Sequence, residues 1–478
     1  MSAAPPILPR TLRALPEAVL AMAAALLTLA CAQWLAPGPG SAVLAVVLSL
    51  SLARSRLDRD RRGRLEAAVA LPAVGLAATG VGWLLLHTPW IGATAFTAGV
   101  ASSVWLRQFG EWARRASRLI ALPFVTVLTV PHLSGAQHGP LPAALVPILV
   151  ALLALAWVSL LDVLGRRIGW LADVHARHAA APPPRPSSSQ ARPSATTRMA
   201  LQMAVALALA FAVGHLGFGE HWPWVVLTAF IVHSGNRGRL EVAYKSLLRL
   251  AGAAGGCIAA AVLAAPADAH GGAALILLAL FLGTWLRQLN YAWWALFVTV
   301  ALALLQNYAG LPAASAMTLR LAAIAVGAMI GVATAWLVLP VRSTDVLRRR
   351  LADALAALGE ALDPAVERRD ATAFVRALGE VQSLAPAFRA ARMLGLRRPA
   401  GWIDVLAACR APALALIEQG ATPGNVRRAV GAARQALREP EHLLDALKAL
   451  RDSLPLPAGT RGRAMDGPSS EERGRGLG

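Results

Sequence analysis

The sequence predicts an all-α, polytopic membrane protein of about 12 transmembrane helices, arranged as two parallel six-helix repeats and followed by a C-terminal cytoplasmic helical domain. Three observations carry that prediction. Hydrophobic residues make up 56% of the chain and charged residues only 15%, with a mean hydropathy of +0.54, a composition that a soluble globular protein does not have. The apolar residues gather into runs, and the basic residues fall in every second connection between those runs. Finally, a short phrase occurs twice: RRGRLE at residues 61–66 and GNRGRLE at residues 235–241.

In chain order the first half offers apolar spans at 15–35, 41–53, 67–86, 93–106, 119–130 and 141–164. The second half repeats the series at 199–217, 222–234, 247–264, 273–286, 292–305 and 319–339. The first run follows Arg10 and Arg13 and includes Leu29-Ala30-Cys31, so it resembles a signal peptide, but it continues to Leu35 and a second span follows at once. Several runs are shorter than the ~20 residues that cross ~30 Å of hydrocarbon. Those must extend into their connections or be half-helices buried among the others.

Charge placement gives the topology independently. The formal net charge is +20, yet the basic residues neither line one helix nor alternate with aromatics, which sets nucleic-acid binding aside. They cluster at Arg54, Arg56, Arg59, Arg61, Arg62 and Arg64, then at 107–118, 166–198, 237–245 and in the tail from Arg342. The alternate connections, 35–41, 86–93, 130–141, 217–222, 264–273 and 305–319, contain no Lys or Arg. Because short cytoplasmic loops collect Lys and Arg, both termini are expected in the cytoplasm. Each copy of the repeated phrase falls in the inner loop between the second and third spans of its half. A second echo, Trp105-Leu106-Arg107-Gln108 against Trp285-Leu286-Arg287-Gln288, marks the inner end of each fourth span. The chain therefore reads as a tandem duplication. An even number of spans per unit gives both copies the same orientation, with a pseudo-twofold along the membrane normal. The basic loops would anchor each half to anionic inner-leaflet lipid.

The domain organisation follows: a first membrane repeat at 1–174, a Pro/Ser-rich flexible cytoplasmic linker at 175–198, a second repeat at 199–340, a cytoplasmic helical domain at 341–456 and a disordered tail at 457–478. In the helical domain, apolar positions recur at helical spacing with Arg, Glu and Asp between them. Cys31, Cys257 and Cys409 lie far apart, without disulfide or metal-knuckle spacing. The histidines in or beside the outer connections, His87, His132, His138, His215, His221 and His270, include no pair at ligand spacing within one helix, so no metal is expected.

Four stretches of the second half together resemble the fusaric acid resistance and aromatic acid exporter family. They are His221 through Phe230 (HWPWVVLTAF), Ser246 through Gly256 (SLLRLAGAAGG), residues 291–305, and Arg320 with Gly327, Gly331, Trp336 and Pro340. The more specific parts are the Arg-x-x-Gly-x-x-x-Gly element from Arg249 to Gly256 and the last span, opened by Arg320 and closed by Trp-x-x-x-Pro. The resemblance is good over 199–340 and weak over the first half, where an apolar position near Val74 faces Arg249 in the repeat and the glycine pair is lost. The chain departs from the family in having a tether where many relatives carry a large soluble domain, and Ala253 where a threonine commonly stands. The resemblance implies export of small, often aromatic or hydroxylated, carboxylic acids or related toxic compounds across a bacterial inner membrane, sometimes beside a periplasmic adaptor protein or as a homo-oligomer.

An anion crossing hydrocarbon needs a positive group facing a cavity, because an isolated charge there costs at least ~2.5 kcal/mol. Arg249 lies beyond the loop arginines, inside the third span of its repeat, and Arg320 is the one basic residue on the outward side of the expected topology. The second and eighth spans are short and occupy corresponding positions, which often marks a transport site. That makes Thr228, His233 and Ser234 candidate polar contacts, with Trp285, Asn290, Trp293 and Trp294 as further polar or aromatic surface. Gly252, Gly255 and Gly256, with Gly327 and Gly331, suit close helix packing. Candidates for proton coupling are Asp162 and His233. No phosphate-binding loop, H-E-x-x-H or G-x-S-x-G occurs, and no Asp, Glu, His or Cys cluster stands at one membrane depth, so neither an enzyme nor a cofactor is expected. A passive anion channel and a non-transporting membrane scaffold are the alternatives to a carrier.

Overall fold

A computed structural model describes residues 7–55, 61–110, 145–171, 194–235, 238–264, 269–308, 313–365, 370–393, 397–421 and 423–455, with Gly395 and scattered positions between 113 and 128. The expected fifth span apart from Ile120, Phe124 and Leu128, the linker up to residue 193, the tail at 457–478, and His132 and His138 lie outside these residues. Among the described residues the secondary structure is helical, with no strand. The chain divides into two units, one of residues 1–173 with 187–341 and one of residues 174–186 with 342–478.

The first unit contains α1 (Ile7–Leu35), α2 (Pro39–Ser55), α3 (Arg61–His87), α4 (Pro89–Trp105) and α5 (Val146–Arg167) from the first half. The second half contributes α6 (Ala195–Gly217), α7 (Trp222–His233), α8 (Arg239–Ala264), α9 (Ala269–Leu286), α10 (Tyr291–Tyr308) and α11 (Ala313–Leu337). Prolines open α2 and α4 and stand second in α7, where the missing N–H costs nothing and the fixed φ suits a first turn. Ser194 caps α6, its Oγ accepting the Thr197 N–H at 3.1 Å.

Among the described residues of this unit, six stretches are long and apolar enough to cross a membrane: Ala14–Leu35, Gly63–His87, Val146–Arg167, Ala195–Gly217, Arg239–Leu263 and Met317–Leu337. Gly40–Arg54, Gly272–Leu286 and Tyr291–Leu305 are shorter apolar helices. Leu216, Ile258, Val262, Leu337 and Val69 stand exposed on the surface of the unit, where lipid in place of water makes such exposure favourable. α7 is the opposite case. Its 12 residues reach only about 18 Å, and nearly all are buried, including Thr228 and His233. It is a short helix wrapped in protein, which is where a short span is tolerated.

The first copy of the repeated phrase and the last three residues of the second lie in helix rather than in the loop expected from their charges. RRGRLE begins α3, and Arg239–Glu241 begins α8. Helix continues through these polar residues because neither Gly nor Pro stands between Gly63 and Glu66 or between Gly238 and Glu241, and an acidic side chain in the first turn, such as Glu241, suits the positive end of the helix dipole.

Packing within each half is parallel in plan. In the first half α1, α2 and α5 pack together and α3 lies on α5; in the second α6, α7 and α11 pack together and α8 lies on α11. α10 is clasped between α8 and α9, and α4 on α6 and α1 on α9 join the halves. Phe96 of α4 and Phe211 of α6 meet edge to face across that seam, 5.5 Å between centroids. The carboxyl end of α11 is held by α6: Gln202 Nε2 donates to the carbonyls of Val338 at 2.8 Å and Leu339 at 3.3 Å.

The second unit contains α12 (Ser343–Ala361), α13 (Thr372–Arg392), α14 (Arg397–Ala408), α15 (Arg410–Glu418), α16 (Gly424–Ala436) and α17 (Leu443–Ser453). α12 packs on α13 and α16, and α14 on α13 and α17, burying Leu351, Phe374, Phe388, Trp402 and Leu447. The stretch Pro399–Glu418 passes a membrane-span criterion of length and hydropathy. It is nevertheless two helices interrupted at Cys409, buries Ile403 and Leu406 within this unit, and carries Asp404 in an ion pair with Arg389 at 2.7 Å.

Candidate functional site

A cavity of about 1080 Å³ lies in the first unit between helices of both halves. Its walls come from α1, α2 and α4 on one side of the seam and from α6 through α10 on the other. At the end where α2, α4 and α7 finish and α6, α8 and α10 begin, the wall carries Arg54, Arg107, Lys245, Arg249, Tyr291 and Trp294. Among the described residues lining the cavity there is no Asp or Glu. Helical spacing delivers these side chains to one place: Val43, Val47, Leu50 and Arg54 share a face of α2, and Lys245 and Arg249 share a face of α8.

Each cation is held differently. Arg249 is only 2% exposed, its Nε makes no hydrogen bond among the described residues, and it lies beside the Tyr291 hydroxyl. Lys245 Nζ donates to the Ser234 carbonyl at 2.6 Å and faces the Tyr291 ring. The Arg54 guanidinium lies 4.2 Å from the centroid of the Trp294 ring, within the range of a cation–π contact. Arg107 Nε donates to Ser117 Oγ at 3.2 Å. Four positive groups around one space, without a carboxylate among the described residues of the wall, favour an anion there.

The structure brings Arg249, His233, Ser234 and Trp294 of the sequence candidates to this cavity and leaves the others elsewhere. His233 is pinned between α7 and α11, with Nδ1 3.2 Å from the Ala229 carbonyl and Nε2 3.3 Å from Thr334 Oγ1. The Ser234 hydroxyl donates to Phe230 O at 2.6 Å, so it is the Ser234 carbonyl, through Lys245, that shapes the site. Thr228 is fully buried but turned to α11, where a methyl on Gly327 would come within 2.9 Å of its Cβ. Arg320 is 1% exposed and stacks on Trp224, close enough to Arg249 and Cys257 to interact electrostatically, yet it is not on the cavity wall. Trp285 Nε1 donates to Thr11 O at 3.0 Å, tying α9 to α1, and Asn290 Oδ1 accepts the Ala292 N–H at 3.2 Å to start α10. Trp293 is exposed. Asp162 pairs with Arg166 at 2.9 Å and lines a separate cavity of about 90 Å³ with Glu17, Arg64 and Ser159.

The glycines define how tightly the cavity's back wall is built. A Cβ on Gly252 would come within 2.6 Å of the Ala292 carbonyl oxygen, and one on Gly256 within 2.6 Å of Leu296 O, so α8 and α10 touch backbone to backbone. Gly327 meets Val225 O at 2.5 Å in the same sense, and Gly331 meets Val232 Cγ1 at 3.0 Å.

Sequence reasoning missed Arg54, Arg107 and Lys245 as site residues because each borders a basic loop and reads as topology signal. The usable sign was periodicity: Arg54 continues the Val43–Val47–Leu50 face of its span, as a residue snorkelling to the interface need not do. Among the described residues no group of three or more His, Cys, Asp or Glu could hold a metal ion.

Apolar helices and outward-facing aliphatic side chains, around a mostly apolar cavity with cations at one end, define a multi-pass membrane protein. Residues 204–334, which run from α6 through most of α11, match the family model described as fusaric acid resistance protein-like. That segment carries Arg249, Arg320 and the four packing glycines. No curated protein matches the chain, and no solved structure does.

Proposed function

We propose that the protein exports small organic carboxylates, aromatic or hydroxylated, across a bacterial inner membrane, with both termini in the cytoplasm. The observation that carries this reading is the cavity between the halves, with Arg54, Arg107, Lys245 and Arg249 on its wall and no carboxylate among the described residues there. Tyr291, Trp294 and Phe230 on the same wall offer aromatic surface to a ring. The matching pack of α1, α2, α5 and α3 in one half and α6, α7, α11 and α8 in the other supports two like-oriented repeats, with about 12 spans once the residues between α4 and α5 are counted. The second unit is a cytoplasmic helical domain on this reading, reached directly from α11. Arg249 holds the carboxylate, while His233 and Ser234 set the position of Lys245 and of the α7 end.

Efflux is the test. Cells lacking the protein retain more of a labelled aromatic acid than cells carrying it, and Arg249→Ala reproduces the defect while the protein still inserts. Equal retention with and without the protein across a broad panel of acids overturns the reading.

A further inference from the structure

The cavity is not uniform along its length. The cationic groups gather at one end, whereas Val43, Val47, Ile276, Leu277, Leu302 and Leu305 form the wall toward the other. From Tyr291 to Leu305 along α10 is 14 residues, about 21 Å, and from Arg54 back to Val43 along α2 is 11 residues, about 16 Å. That reach compares with the ~15 Å that one leaflet contributes to a bilayer's hydrocarbon. Gln33, the polar side chain at the aliphatic end among the described lining residues, is held in its own turn, with Nε2 donating to Gly38 O at 2.9 Å and Oε1 accepting the Gly38 N–H at 3.3 Å. A compact aromatic acid seated at the arginines would leave most of the 1080 Å³ unfilled, and unfilled apolar wall contributes no affinity.

We infer that the cavity selects amphiphilic anions: one negatively charged head held by Arg249, Lys245 and Arg54, and an extended, unbranched apolar chain lying along α2, α9 and α10. This rests on the anion-carrier reading above, and moves the preferred substrate from a compact aromatic acid to an acid that carries an extended chain. Trp294, with Arg54 on its face, lies at the boundary where the head ends and the chain begins, since residues 298, 301, 302 and 305 follow it on the same side of α10. Among the described residues the charge lies at one end alone, which separates this site from one built for a dicarboxylate, where a second positive group would be needed across the cavity.

The experiment titrates the purified full-length protein in amphipol with benzoate and with hexanoate, octanoate and decanoate. Each added methylene buried on the aliphatic wall tightens binding by roughly three- to fourfold, so decanoate binds on the order of a hundredfold tighter than hexanoate. Val47→Asn and, as an independent variant, Leu277→Gln flatten the dependence on chain length, whereas Arg249→Ala weakens every straight-chain acid by a similar factor. Benzoate binding as tightly as decanoate overturns the inference and leaves the carrier reading intact. No binding of any acid, aromatic or aliphatic, overturns the carrier reading itself. A parallel titration with a short-chain phosphatidylglycerol identifies the source of the amphiphile: competition with decanoate supports a lipid, and its failure beside tight decanoate binding supports a free acid.

Discussion

The guanidinium carbon of Arg320 lies 3.8 Å from the centroid of the Trp224 ring, and the arginine is 1% exposed. A cation so deeply placed needs a partner that spreads its charge, and the face of an indole supplies one. Arg320→Lys retains the charge but loses the flat group that stacks. The expected cost is about 1–2 kcal/mol, visible as a lower melting temperature of the detergent-solubilised protein, with Trp224→Leu moving it in the same direction. An unchanged melting temperature in both variants would show that the stacking contributes nothing.

Gly252, Gly255 and Gly256 are neighbours in sequence but not in consequence. Gly252→Ala and Gly256→Ala each press a methyl group against a backbone carbonyl of α10, and each should cost about 1–3 kcal/mol. Gly255→Ala meets only Leu296 Cδ1, at 3.3 Å, and a leucine tip can turn away. Yields of monodisperse protein after extraction should therefore fall for the first two variants and hold for the third; an equal fall in all three contradicts the backbone contact.

Leu339 adopts φ +44 just after α11, a left-handed conformation that a side chain other than glycine's enters at a cost of roughly 1–2 kcal/mol. Its side chain is 44% exposed, so little packing is lost on removing it. Leu339→Gly should raise the melting temperature. Gln202→Leu should lower it, by about 1–3 kcal/mol, since the Val338 and Leu339 carbonyls lose their donor. Opposite shifts in the two variants confirm the arrangement, and shifts of one sign refute it.

In the second unit, the Thr372 hydroxyl and then the Thr372 N–H, 2.7 Å from Oδ1, hold the Asp370 carboxyl below the usual carboxylate range. A group whose folded value is depressed stabilises the fold above its unfolded value, and that contribution disappears as pH falls through the lowered one. Asp370 is exposed, so solvent screening keeps the effect at roughly 0.5–1 kcal/mol. Asp370→Asn should thus reduce stability at neutral pH and make no difference in strong acid. A difference from wild type that grows on acidification has the wrong sign for this hydrogen bond.

Helix class and the apolar runs that form the membrane-length helices were legible because they follow from summed hydropathy. That Arg249 is buried within the bundle was legible as well, since it is a cation inside an apolar run. The rest depended on partners far away in sequence. Nothing local distinguishes Arg320, which stacks on Trp224, from Arg249, which lines the cavity; the two differ in what packs opposite. Trp285 and Asn290 looked like site residues because aromatic and amide groups often are, but one anchors α9 to Thr11 and the other starts a helix. Helix ends were misjudged for a related reason: Arg239 through Ser246 read as loop by polarity, yet they form the first two turns of α8 and carry Lys245 to the cavity.

Arg54 and Arg107 precede residue 174, and Lys245 and Arg249 follow residue 194. The positive field at the cavity is thus assembled from contributions on either side of a junction, and no single side holds more than two of its four members. Coulomb attraction weakens as its sources separate, so on the carrier reading proposed above a slight parting of the two halves would loosen an anion although no residue had changed its protonation. Grip and release would then be a matter of distance alone.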